Sequence, residues 1–366
     1  MDIAVASEKN PPPLSMRRLM LRRFCRNRVA LGSLIILGLL YLSMIFAGFV
    51  SPYAPDRSAS QYLTSPPQVV RFFDNEGNFH VRPFVYRLEG KRDPATLTFV
   101  YEENRELRDE IFLFIEGDRY EFMGFTFNRH LFGTKEGTVY LLGTDLRGRD
   151  MLSRIIYGSR VTLTIGLVGV VLMVTLGAVI GALSGYVGGF VDMAVQRIIE
   201  VFRLFPPIPL WLALAAAVPP QLPSVFVLIS IVVIYGFIQW PGLAREVRGL
   251  VLVLRETEFV LAAQAAGAGT FWIVRKHLIP SVMPHLLVTA TLGIPVVIIF
   301  ESTLSFFGLG VKPPTISWGL LLQQSQKLEV LSFYPWLLAP AVFLVAAALL
   351  FNFVGDGIRD AVDPYS

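Results

Sequence analysis

The sequence predicts an all-α polytopic membrane protein with six transmembrane helices and a small β-rich insert between helices 1 and 2. Three observations carry that reading. Of the 366 residues, 54% are apolar, and mean hydropathy is +0.57. Soluble domains lie near 45–50% apolar. Residues Val29 to Val50 contain no charge. At about 1.5 Å rise per residue, such a helix crosses a hydrocarbon core of about 30 Å. From Ser51 to Leu142 the composition switches to dense charges of both signs. That switch separates the insert from the spans.

Residues 1–15, with Pro11, Pro12 and Pro13, are read as disordered. Arg17, Arg18, Arg22, Arg23, Arg26 and Arg28 follow directly before the first span. Such a cluster holds its end of a span in the cytoplasm. Residues 1–28 are therefore a cytoplasmic segment, and residues 29–50 form helix 1, running outward. A surface helix is excluded because the run has no polar face. The single cysteine, Cys25, permits no intrachain disulfide.

Residues 51–141 form the insert, on the extracytoplasmic side. Strands are expected at Thr96–Tyr101, Ile111–Ile115 and Tyr120–Phe127, with turns at Asp74–Gly77 and Glu116–Asp118. It reads as a docking or gating element, or as a stability insertion without a specific partner.

Residues 142–366 hold helices 2–6. Thr144 or Asp145 can cap the helix that follows. Helix 2 is read from Val161 to Ser184. Gly177, Gly181 and Gly185 place one small stripe on it, which permits close helix packing in lipid. Helix 3, Val195 to Val218, is interrupted by Pro206, Pro207 and Pro209. A helix broken within a membrane needs a lining of protein or water, so the segment either borders a pathway or is simply kinked. Pro219–Gln221 makes a turn, and helix 4 spans Val225 to Trp240.

A loop follows at about 241–284. Arg245, Arg248, Arg255, Arg275 and Lys276 put it in the cytoplasm. Its centre reads FVLAAQAAGAGTFWIVRKHLIP, from Phe259 to Pro280. Alanines form helix readily and let another surface approach closely. Gly267 and Gly269 can end the helix, and Pro280 starts or breaks the next. The stretch is read as a compact knob outside the bilayer.

Helix 5 runs from His285 to Phe307 and contains Glu301. A carboxylate there costs several kcal/mol, so it must face protein or water. Either it borders a pathway or interface, or it sits hydrated or hydrogen-bonded near the outer end. Gly308 to Tyr334 reads as a re-entrant or amphipathic stretch. Helix 6 is Trp336 to Val354, and six spans return both termini to the cytoplasm.

The chain contains no GxxxxGK[ST] phosphate loop, no HExxH and no Cys/His ligand set. No cofactor, metal or nucleic acid is expected, and enzymatic activity is not expected of this chain.

Several blocks resemble one family. The knob resembles the cytoplasmic coupling loop of ABC-importer permeases, with Leu261-Ala262-Ala263 where that motif has Glu-Ala-Ala. Gly267 takes the motif's glycine position, and His277-Leu278-Ile279-Pro280 its end. Residues 142–158, with LGTD, GRD and SRIIYG, are similar to the dipeptide and oligopeptide branch. So are GYVGGFVD at 185–192, ESTLSFFGLG at 301–310, PP with SWG at 313–319, and NFVGDGIRDAVDP at 352–364. The segment 51–141 is longer than in typical members.

The resemblance implies a type I ABC-importer permease in a bacterial inner membrane. It implies a second permease subunit as heterodimer partner, two ATP-binding subunits, an extracytoplasmic substrate-binding protein, and a peptide or similar small solute. Ala262, Ala263, Ala266, Gly267, Ala268 and Pro280 would contact an ATPase subunit. Glu301, Pro206, Pro207 and Trp318 are candidate pathway or interface positions. The alternative is a membrane-anchored sensor or assembly factor whose β unit binds an external ligand.

Overall fold

A computed structural model describes residues 16–92, 99–219 and 221–362. The expected disorder of 1–15, strand residues 96–98, Pro220 in its turn and Pro364 in the last motif lie outside the described residues.

The arginine-rich segment is a helix, α1 (Met16–Arg26), followed by α2 (Arg28–Ile45) and the single turn α3 (Ala47–Val50). Asn27 separates the first two, and its side chain accepts from the Ala30 amide at 3.1 Å. The insert then forms a four-stranded antiparallel sheet in the order β1 (Arg71–Phe73), β2 (Phe79–Arg92), β3 (Phe99–Phe122), β4 (Phe125–Thr134).

The expected turn at Asp74–Gly77 is present. The expected turn at Glu116–Asp118 is not. β3 runs through it as one 24-residue strand, with only a register shift between Glu116 and Tyr120. A β-carbon on Gly117 would lie 2.7 Å from the His130 ring, so this glycine makes room for a side chain. The chain reverses instead at Met123-Gly124, inside the stretch expected to be a strand.

The helical part continues with α4 (Met151–Val187), α5 (Gly189–Leu204), α6 (Pro207–Ala216) and α7 (Ser224–Leu254). Then come α8 (Glu258–Ala265), α9 (Thr270–Ile273), a π turn at Val274–Leu278 and α10 (Ile279–Phe306). The short α11 (Trp318–Gln323) and α12 (Leu328–Phe333) precede α13 (Ala339–Val362).

Among the described residues, five helical segments are long and apolar enough to cross a membrane. They become six if α5 and α6, bent by 84° at Phe205-Pro206, count as one broken span. Several boundaries differ from expectation: α5 starts at Gly189 and not Val195, α10 at Ile279 and not His285, and α13 runs to Val362 and not Val354. α4 starts ten residues before Val161, and its N-cap is Asp150, which accepts from the Ser153 amide at 2.7 Å. Thr144 instead bonds Tyr62 and Ser65, and Asp145 bonds Arg149 and Arg154. α7 does not stop at Trp240 but carries Pro241 inside it and ends at Leu254. The connection to the next long helix is therefore shorter than 241–284.

The core centres on α4, α7 and α10, with Leu163, Val247, Leu278, Ile298 and Trp318 fully buried. A β-carbon at Gly177 would lie 2.8 Å from Leu243, and one at Gly181 would strike the Ala244 carbonyl. The glycine stripe is what lets α4 and α7 touch along their backbones. The sheet rests on the linkers to the helices. Asp118 accepts from the Ala54 amide at 2.9 Å, and His130 meets the Ser51 carbonyl at 2.6 Å.

Candidate functional site

α8 stands at the end of the bundle opposite the sheet. Its base is fixed. Val260 and Ile273 are fully buried, and Ala263 and Ala268 are half-buried against the core. Gln264 donates to the Tyr186 hydroxyl at 3.0 Å, tying α8 to the last turn of α4. Arg255 reaches the Gly185 carbonyl at 3.4 Å.

The helix ends in a Schellman cap. Ala268 donates to the Ala263 carbonyl at 3.0 Å and Gly267 to that of Gln264 at 2.9 Å. This requires Gly267 at φ +78°, where a β-carbon is strained. No atom lies within 4 Å of where that β-carbon would sit, so the demand is for conformation, not space.

The outward face is apolar. Leu261, Ala262, Ala265, Ala266 and Gly267 are exposed, and Phe271 beside them is 70% exposed. Trp272 and Phe259 are also exposed, flanking His277. Glu258, Arg275 and Lys276 supply the charges around them. Pro280 is exposed in the first turn of α10. The six residues read from sequence as the coupling element thus lie on one segment. Four belong to its exposed surface, and Ala263 and Ala268 belong to its footing.

An ion pair supports the same end. Asp192 accepts from Arg248 through Nε and Nη2, both at 2.5 Å, and from the Ser184 hydroxyl at 2.6 Å. This joins α4, α5 and α7 beside the α8 base. In the sequence Asp192 stands out only as the last residue of GYVGGFVD, which was the available signal for this pair.

The four candidate pathway positions divide. Glu301 and Trp318 come together and are fully buried by this chain. Glu301 accepts from Ser305 at 2.7 Å and from Thr162 at 3.3 Å, while the Trp318 amide donates to Thr162 at 3.1 Å. The Trp318 indole donates to the Ile155 carbonyl at 2.9 Å. Hydrogen bonds compensate the buried carboxylate and lock the 308–319 loop to α4. Pro206 and Pro207 lie elsewhere, exposed at the 84° bend.

Asp145 anchors the start of the core. It pairs with Arg149 at 2.7 Å and with the buried Arg154. Nearby Asp150 is fully buried, and burial pushes its carboxyl up from the ordinary 3.8 to about 6.

Bundled apolar helices, a glycine-tight seam and one exposed, footed helix define a multi-pass helical membrane protein with an exposed apolar surface at one end of its bundle. Residues 174–365 match the model for the binding-protein-dependent transport system inner membrane component, and residues 15–67 match the N-terminal TM domain of oligopeptide transport permease C. The chain belongs to the binding-protein-dependent transport family. It is a permease subunit of an ABC importer.

Among curated relatives, the oligopeptide transport system permease protein OppC of Haemophilus influenzae is 43% identical over 233 residues, covering 63% of this chain and 72% of its own. The dipeptide transport system permease protein DppC of Lactococcus lactis is 32% identical over 359 residues, covering 96% and 92%. That second match extends the likeness through most of the insert. Among solved structures, the inward-facing MetNI methionine ABC transporter is 25% identical, with a TM-score of 0.45 over 58% of this chain.

Proposed function

We propose that this permease carries peptides inward, as one half of a translocation pathway completed by a second permease subunit. An extracytoplasmic binding protein delivers the peptide, and two separate ATP-binding subunits supply the energy. Support for the peptide class comes from the relatives, named for oligopeptide and dipeptide transport. In this reading α5–α6 is one broken span, giving six. Both termini and α8 face the cytoplasm, and the sheet faces outside.

The observation that carries the coupling role is α8 itself. A helix of eight residues is marginal alone in water. Here it is footed on α4 and presents alanines, a glycine and exposed aromatics outward. Such a surface can seat in a groove of an ATPase subunit and transmit its movement to α7 and α10.

Purification and reconstitution test this. The chain should copurify with ATP-binding subunits and a second permease, and proteoliposomes should take up labelled peptide only with loaded binding protein. A chain that purifies alone, with an isolated sheet that binds a ligand, would favour the membrane-anchored sensor instead.

A further inference from the structure

The β3–β4 hairpin does not stand clear of the helices. The Phe46 and Phe122 rings are 5.3 Å apart, and those of Phe49 and Phe114 are 6.1 Å apart. Between hairpin and helix lies a groove of about 720 Å³. That is the size of a small-molecule site, about 300–1,000 Å³. Leu39, Leu42 and Phe46 form one wall, and Tyr120, Phe122 and Phe127 the other.

Two features say what fills it. The first is depth. Leu39 lies seven residues before Phe46, so the groove descends about 10 Å along the helix from its sheet-side end. The wall it descends is continuous with the exposed column Ile35, Leu39 and Leu42 of α2. The opposite side of α2, with Ala30, Ser33 and Leu37, is buried within the chain. The exposed column lies on a candidate membrane span.

The second is the hairpin's own chemistry. Ladder pairs Tyr120–Phe127 and Phe122–Phe125 place four aromatic rings on one face. The tip residue Met123 is 81% exposed and sits at φ +50°, and Phe125 is 70% exposed. Two-residue hairpin tips in water favour Asn-Gly or Asp-Gly. A Met-Gly tip between Phe122 and Phe125 fits a hydrocarbon environment. Moving up β4 from the tip, Phe125 and Phe127 give way to Arg129, which lines the groove on the same face. Apolar residues deep and a guanidinium above them is the order in which side chains meet a lipid leaflet.

We propose that the hairpin dips into the outer leaflet and that the groove holds a phospholipid acyl chain, with Arg129 at the headgroup phosphate. The sheet is then held at the membrane surface by its tip as well as by its linkers. This rests on α2 crossing the membrane.

The test uses the complete transporter in phospholipid nanodiscs. A nitroxide is placed at Met123→Cys in a Cys25→Ser background, with Ile35→Cys as the bilayer control and Glu76→Cys as the water control. The label at Met123 should saturate with oxygen like that at Ile35, and not with a nickel chelate like that at Glu76. An aqueous Met123 beside a lipid-exposed Ile35 overturns the proposal alone. An aqueous Ile35 overturns the span beneath it as well. Photo-crosslinking of Met123 to the second permease would show that protein fills the groove, and overturns it too.

Native mass spectrometry of the same complex should show a retained phospholipid. Arg129→Gln should reduce retention about fivefold, the order expected for one arginine at an anionic surface. Leu39→Trp with Phe127→Trp should abolish it by filling the groove. If that pair fails to assemble, the Arg129→Gln result decides. Unchanged retention in Arg129→Gln contradicts the headgroup contact.

Discussion

Asp192 and Arg248 face each other as a planar pair, with two charge-assisted hydrogen bonds of 2.5 Å. One residue opens α5 and the other lies near the end of α7, so the pair closes the α4–α5 turn against α7. Bidentate geometry of this kind belongs to arginine and not to lysine. Arg248→Ala should lower stability by about 1.5–3 kcal/mol, the range for bonds to charged groups. Arg248→Lys should recover only part of that. Thermal unfolding of the purified complex measures both. An unchanged midpoint in Arg248→Ala would mean that the pair contributes nothing to the fold.

The glycine seam makes a second expectation. Gly181→Ala puts a β-carbon against the Ala244 carbonyl, a backbone atom that cannot rotate away. Overpacking of this kind costs about 1–3 kcal/mol. Gly242→Ala is the control, because no atom lies within 4 Å of its β-carbon. Unfolding midpoints should fall for the first and hold or rise for the second. Equal midpoints would mean that α4 and α7 are not in backbone contact.

Asp150 gives a pH dependence. Its carboxyl is raised from 3.8 to about 6 by burial, so the folded state prefers the protonated acid. That contribution is fully present below pH 3.8 and is lost as pH rises through 6. The full difference is on the order of 3 kcal/mol. Asparagine is also a good N-cap, so Asp150→Asn should keep the helix start. The variant should gain stability over wild type at pH 7, and the gain should shrink toward pH 4.5. A gain that is constant with pH would contradict the assignment.

Much of the helical frame was legible because lipid imposes a simple rule. The uncharged run at Val29 to Val50 reads directly as α2 and α3, and the prolines at 206 and 207 announce the 84° bend. What was hidden depends on distant partners. Pro241 looks like a boundary, yet α7 passes through it, with that stretch packed on α4 through Leu243 and Ala244. Gly117 looks like a turn, because nothing local reveals that His130 will lie over it. Thr144 and Asp145 look like caps, because their bonds to Ser65 and Arg154 cross loops that sequence does not bring together.

The same contrast holds at the site. The alanine-glycine knob is legible as a string, since its Schellman cap uses residues within one turn. Its footing on Tyr186, and the burial of Glu301 and Trp318 against Thr162, arise from tertiary packing and leave no local pattern.

The central claim is that α8 couples this permease to an ATPase subunit, and Gly267→Val tests it most directly. Valine at φ +78° is strained, while the open space around it leaves the rest of the chain undisturbed. Gly249→Ala, also in open space, is the control. The measurement is ATP hydrolysis by the reconstituted transporter, with and without peptide-loaded binding protein. Gly267→Val should insert and pair with its permease partner but lose stimulated hydrolysis or the ATPase subunit itself, whereas Gly249→Ala keeps both. Full stimulation and normal copurification in Gly267→Val would contradict the coupling role of α8.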